Sequence, residues 1–110
     1  MAHERTRRLD LVLRTLQEQR GQLTECEAAQ LVGVSLSWFR HDFRRYAAMS
    51  FRTARLQAKL AHGEHLLTTT TLSIQDISVV LGYSDRSKFE KAFKKSKGVT
   101  PSTYRHLVPS

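Results

Sequence analysis

A single cysteine, Cys26, stands in this chain of 110 residues. No intramolecular disulfide and no cysteine-based zinc site can therefore form, and this usage fits a reducing, cytoplasmic setting. Two prolines and five glycines are too few for long disordered linkers. No apolar run approaches the roughly 20 residues that a membrane-spanning helix needs. The first residues, MAHERTRRLDLVLRTLQ, start basic but have no clean apolar stretch or small-residue cleavage site, so they do not read as a signal peptide. Acidic residues are scarce. Against 10 Asp and Glu stand 18 Lys and Arg, a net charge of +8. That field favours polyanions: nucleic acid, acidic membrane surfaces or acidic proteins. The length allows one compact domain or two very small ones. Units below about 60 residues are marginal alone, so two halves here should lean on a shared element.

What is present is helical nearly throughout, and the expected fold class is all-α, with about seven helices. Leu9, Val12, Leu13 and Leu16 recur at helical spacing, on a helix ending near Arg20-Gly21. Thr24-x-x-Glu27 reads as a capping box opening a second helix, which stops at Gly33. Ser35 caps a third, with Leu36, Phe39, Phe43 and Tyr46 on one face. A fourth covers about 51–68. Ser73-x-x-Asp76 opens a fifth, which ends at Gly82, and Ser84 or Asp85 caps a sixth with Phe89 and Phe93 one turn apart. Thr100-Pro101 opens the last, proline being well tolerated at the first helical position. The run Thr68 to Thr71 reads as a fraying helix end and a loop. No segment alternates well enough to be a strand.

An internal repeat organises these helices. Ala29 and Ser78, Gly33 and Gly82, and Ser35 and Ser84 lie 49 apart; beyond the turn, Phe39 and Phe89, Phe43 and Phe93, Ala48 and Gly98, and Ser50 and Thr100 lie 50 apart. Each copy is a short helix, a glycine-containing turn and a longer helix with two aromatics, the pattern of a helix-turn-helix. The small residue sits where the helices cross, and the glycine turns through a positive φ. The expected boundaries are a first helix-turn-helix subdomain at 1–50, a linker helix and loop at 51–71, and a second subdomain at 72–110. Residues 51–68 as one helix would span about 27 Å. Two recognition helices on such a spacer could enter successive major grooves, about 34 Å apart on one face of the duplex.

The phenylalanines leave the opposite helix face outward. In the first copy that face carries Ser37, Arg40, His41 and Arg44; in the second it carries Ser87, Lys91, Lys94 and Lys95, with Arg86 and Glu90 beside it. Arginine can make a bidentate pair of hydrogen bonds to a guanine edge, and lysine and serine reach base edges or phosphates. A solvated charged face is the plain alternative for one such helix; its recurrence in equivalent frames favours DNA. His62 and His65 have a spacing that could hold a metal but lack a third ligand, so they read as surface histidines, and Cys26 as an inert thiol. Trp38 reads as packing on the fourth helix rather than touching backbone sugar. Serine, histidine and aspartate occur in no catalytic arrangement, so no enzyme, cofactor or metal is expected.

The segment LSIQDISVVLGYSDRSKFEKAFKKSKGVTPSTYR, residues 72–105, resembles the second helix-turn-helix of the AraC/XylS family of bacterial transcriptional regulators. The matching positions are Ile74, Ile77-Ser78, Gly82-Tyr83, Phe89, Ala92-Phe93-Lys94, Gly98, Thr100-Pro101 and Tyr104-Arg105. The likeness runs from about Leu9 to Arg105, more weakly in the first unit. Lys97 stands where the family usually has an aromatic, Ala48 where it has glycine, and Lys59 and Gly63 where it has arginine and alanine. The resemblance implies two recognition helices in adjacent major grooves of an asymmetric double-stranded DNA site, a role at promoters, usually as an activator, and RNA polymerase as a candidate partner. It implies base contacts from Ser37, Arg40, His41, Arg86, Ser87 and Lys91. Phosphate contacts are expected from Thr24, Arg44, Ser73, Lys94 and Lys95, since free N–H groups at helix starts attract anions. A monomeric fragment acting at the bacterial nucleoid, with no membrane partner, completes the expectation. It is either a stand-alone regulator or the C-terminal piece of a larger one. The competing reading is a basic helical module that binds acidic protein or membrane surfaces.

Overall fold

Side-chain caps fix where the helices begin. In the computed structural model, which describes the backbone of residues 2–107 and the side chains of residues 7–107, Thr24 adopts an extended conformation and its hydroxyl accepts from the Glu27 N–H at 3.2 Å. The Glu27 carboxylate accepts the Thr24 N–H in return at 2.8 Å, so the box expected from the sequence closes. Ser35, Ser73 and Asp85 cap three further helices by accepting from Trp38, Asp76 and Lys88. The elements are α1 (Ala2–Glu18), α2 (Glu25–Val32), α3 (Leu36–Ala47), α4 (Phe51–Thr69), α5 (Ile74–Val80), α6 (Arg86–Lys97) and α7 (Pro101–Leu107). Among the described residues there is no strand.

The chain divides into two units, residues 1–59 and 60–110, and the division falls inside α4. This helix is the shared element that two small halves require: it gives Phe51, Ala54 and Ala58 to one core and Leu60 and Leu67 to the other. In the first unit Leu9, Val12 and Leu16 of α1 meet Ala28, Ala29 and Val32 of α2 and Phe39 and Phe43 of α3. Phe39, Phe43 and Phe51 form a ring triad with centroids 5.4–5.5 Å apart, a spacing at which tilted and edge-on pairs add to simple burial. In the second unit Ile74, Ile77 and Leu81 pack on Phe89 and Phe93, and Tyr104 closes edge-on against Phe93 at 5.3 Å.

The starts of α4 and α7 repeat as well. Ser50 accepts from the Thr53 N–H and Thr100 from the Thr103 N–H, each at 3.2 Å, so the helices following α3 and α6 begin on the same hydroxyl cap. The end of α4 is set by the threonine run. The hydroxyls of Thr68, Thr69 and Thr70 donate back to the carbonyls of Glu64, His65 and Leu66. Arg105 donates to the carbonyls of Leu67 and Thr70, satisfying acceptors that a helix end leaves unpaired.

Two of the residues that depart from the family pattern, Gly63 and Lys97, have physical explanations. Gly63 lies where α4 crosses the second core: a Cβ there would stand 3.1 Å from Leu81 Cδ1 and 3.3 Å from Phe89 Cε1. The missing side chain permits close packing. Lys97 replaces an aromatic contact with an ion pair to Glu64, which also accepts from the Tyr104 hydroxyl at 2.9 Å. Ala48 ends α3 in the left-handed region at φ 58°, a conformation costing an L-residue roughly 1–2 kcal/mol.

Candidate nucleic-acid interface

Both helix-turn-helix units are built by the same hydrogen bonds. The Gly33 N–H donates to Gln30 and the Val34 N–H to Ala29; the Gly82 N–H donates to Val79 and the Tyr83 N–H to Ser78. Gly33 and Gly82 have φ of 72° and 85°, and Ala29 and Ser78 are buried at the crossing, as the repeat predicts. The structure also locates the extra residue of the second copy. Val34 and Tyr83 are equivalent at an offset of 49, but the caps are Ser35 and Asp85, at an offset of 50. Ser84 is thus the insertion, and the cap choice left open by the sequence falls on Asp85.

Phe39 and Phe43 in α3, and Phe89 and Phe93 in α6, are fully buried. Burying them turns the other face outward: Ser37, Arg40, His41 and Arg44 are all exposed, as are Arg86, Ser87, Lys91, Lys94 and Lys95. Helical spacing puts Ser37, Arg40, His41 and Arg44 on one outward face of α3 and Ser87, Lys91, Lys94 and Lys95 on one outward face of α6, with Arg86 exposed at the start of α6. Among the described residues, Arg44, Lys91, Lys94 and Lys95 form no ion pair. Their charge is available to an external anion. Trp38, read from the sequence as a packing residue on α4, lies on α3 and is 51% exposed.

Two carboxylates pair with arginines of this surface. Glu25, in the first turn of α2, accepts from Arg40 Nε and Nη2, each at 2.9 Å. This bond raises the arginine's already high pKa. Glu90 accepts from Arg86 Nε at 3.1 Å along α6. The second pair has a visible signal, the i, i+4 spacing; the first joins residues 15 apart on different helices and has none.

The helix starts named as phosphate candidates carry a mixed charge. The hydroxyls of Thr24 and Ser73 are exposed and each accepts a backbone N–H, leaving the O–H free to donate. Glu25, Glu27 and Asp76 in the same first turns oppose an anion there. Among the described residues no three metal-ligating side chains cluster, and no helix is long and apolar enough to cross a membrane.

The sequence profile of the helix-turn-helix domain family matches residues 28–106. The transcriptional activator RhaR of Escherichia coli K12 is 35% identical over 68 residues, 62% of this chain. The chain spans only about a quarter of RhaR's length, the match covering 24% of it. An AraC-type transcriptional regulator from Chromobacterium violaceum shares the fold, with a TM-score of 0.84 at 23% identity over 91% of this chain and 90% of that one. So does the DNA-binding domain of the global transcriptional factor AdpA, solved with a target DNA: TM-score 0.79, 19% identity, 90% of each chain. With nearly three quarters of its length matched to the family and its two turns hydrogen-bonded alike, the chain belongs to the AraC/XylS-type helix-turn-helix family of bacterial DNA-binding transcription regulators.

Proposed function

We propose that the chain is a sequence-specific promoter-binding module, acting as an activator at the bacterial nucleoid, that inserts α3 and α6 as recognition helices into adjacent major grooves of one asymmetric site. The observation that carries this is the duplicated, aromatic-anchored helix with an exposed basic face. The AdpA domain, a fold neighbour solved with a target DNA, supports the choice of DNA as ligand. Ser37, Arg40 and His41 in the first unit and Arg86, Ser87 and Lys91 in the second reach base edges. Arg44, Lys94 and Lys95 neutralise phosphates, and the Thr24 and Ser73 hydroxyls add neutral donors. Two base-reading helices in one chain give a monomer the reach that a dimer of single units otherwise supplies. A bound activator places RNA polymerase among the partners.

The test is binding to duplexes enriched from a random pool, measured against unrelated competitor over a range of salt. Specific complexes should survive the competitor and weaken steeply as salt rises. Replacing Lys94 and Lys95 with alanine should flatten the salt slope by about one for each lysine, with no change in base preference. Equal binding to selected and unrelated duplexes would refute the proposal in favour of a basic module for acidic surfaces.

A further inference from the structure

One contact ties the first recognition helix to the helix before it, and among the described residues the second unit shows no such ion pair between its two helices. Glu25 of α2 holds Arg40 of α3 through Nε and Nη2, both converging on the single oxygen Oε1 at 2.9 Å. The position equivalent to Glu25 in the second unit is Ile74, which is buried in the core. Arg40 itself corresponds to Glu90 at the 50-residue offset, and the arginine of α6, Arg86, is held by Glu90 within that helix, through Nε at 3.1 Å.

The geometry of the guanidinium gives the contact a meaning. Arginine carries five N–H donors in a planar fork. The carboxylate occupies the side edge, formed by Nε and one Nη2 hydrogen. The end edge, with the other Nη2 hydrogen and those of Nη1, stays open. That edge presents two parallel donors, the pair that matches guanine O6 and N7. Glu25 therefore orients the guanidinium without consuming the donors that read a base. The side chains are 58% and 31% exposed, so the pair adds little to folding stability. Its effect falls on recognition, because a long side chain ordered before binding loses less freedom on binding. The same carboxylate repels the phosphate backbone, so it lowers general affinity for DNA while sharpening discrimination.

We propose that Glu25 is a specificity-determining positioning residue, holding Arg40 so that its open edge reads one guanine. The proposal rests on the assignment of Arg40 to base contact made above. The test compares wild type, Arg40→Ala, Glu25→Ala and Glu25→Gln for relative affinity at every position of the selected duplex, alongside binding to unrelated duplex. Arg40→Ala identifies the base pair that Arg40 reads. At that pair, Glu25→Ala should lower the preference for guanine by about three- to tenfold, while binding to unrelated duplex strengthens. Glu25→Gln should restore most of the preference, because one amide oxygen can accept both N–H groups. A merely structural role for Glu25 would change affinity evenly at all positions. If Arg40→Ala changes one position and Glu25→Ala leaves that position unchanged or sharper, the positioning role is overturned and the base-reading assignment stands. If Arg40→Ala changes no position, both fall.

Discussion

Replacing Gly63 with alanine sets helix propensity directly against packing. Gly63 lies inside α4, Phe51–Thr69, where alanine is favoured over glycine by about 1 kcal/mol. On propensity alone the variant would be more stable. The new methyl carbon, however, would stand 3.1 Å from Leu81 Cδ1 and 3.3 Å from Phe89 Cε1, inside the roughly 3.5–4.0 Å of a relaxed carbon contact. Both neighbours must retreat by a few tenths of an ångström. Neither has room: Leu81 and Phe89 are fully buried, and the Phe89 ring lies 5.6 Å from Tyr83 and 5.8 Å from Phe93. Overfilling such a site costs about 1–3 kcal/mol. The balance is a net loss of about 1 kcal/mol, since the packing term outweighs the propensity gain. Denaturant unfolding followed by circular dichroism should show a lower midpoint for Gly63→Ala, with an unchanged slope. A midpoint above wild type would refute the reasoning and would mean that the crossing is loose enough to absorb a methyl group.

Two further substitutions test the helix ends. Ala48→Gly relieves a residue held at φ 58°; the strain of roughly 1–2 kcal/mol, less about 0.4–1 kcal/mol of added freedom in the unfolded chain, leaves a gain of about 0.5–1 kcal/mol, read as a higher unfolding midpoint. The Glu27 carboxyl is held below the usual carboxylate pKa by the backbone N–H and the hydroxyl of Thr24. A lowered folded-state pKa contributes stability above the unfolded value, and that contribution is lost as pH falls through the folded value. Glu27→Gln should therefore melt slightly below wild type at pH 7, with the gap closing as pH falls below the ordinary glutamate range. A gap that is constant with pH would place the effect elsewhere.

Local periodicity and capping carried the fold. The 49- and 50-residue offsets predicted both helix-turn-helix units, because a turn that needs glycine and a helix that buries two phenylalanines leave few sequence alternatives. The box at Thr24 and Glu27 was legible for the same reason, since both partners lie within one turn. Ser84 and Asp85 were not separable, because either can cap a helix and only the backbone conformation of Asp85 decides between them. The role of Gly63 was not legible until Leu81 and Phe89 were seen beside it. The outward faces of α3 and α6 followed from the buried ones. The Glu25–Arg40 and Glu64–Lys97 pairs did not follow, because contacts between helices obey no spacing rule along the chain.

The central claim is that each unit reads its own part of one DNA site. The most direct measurement is the affinity of every single-base-pair variant of the selected duplex for wild type and for two variants, one with Ser37, Arg40 and His41 changed to alanine and one with Arg86, Ser87 and Lys91 changed. The account predicts that each variant loses discrimination, by about 1–3 kcal/mol per base pair read, at its own set of positions, and that the two sets do not overlap. A uniform loss of affinity in both, with every preference intact, would contradict it.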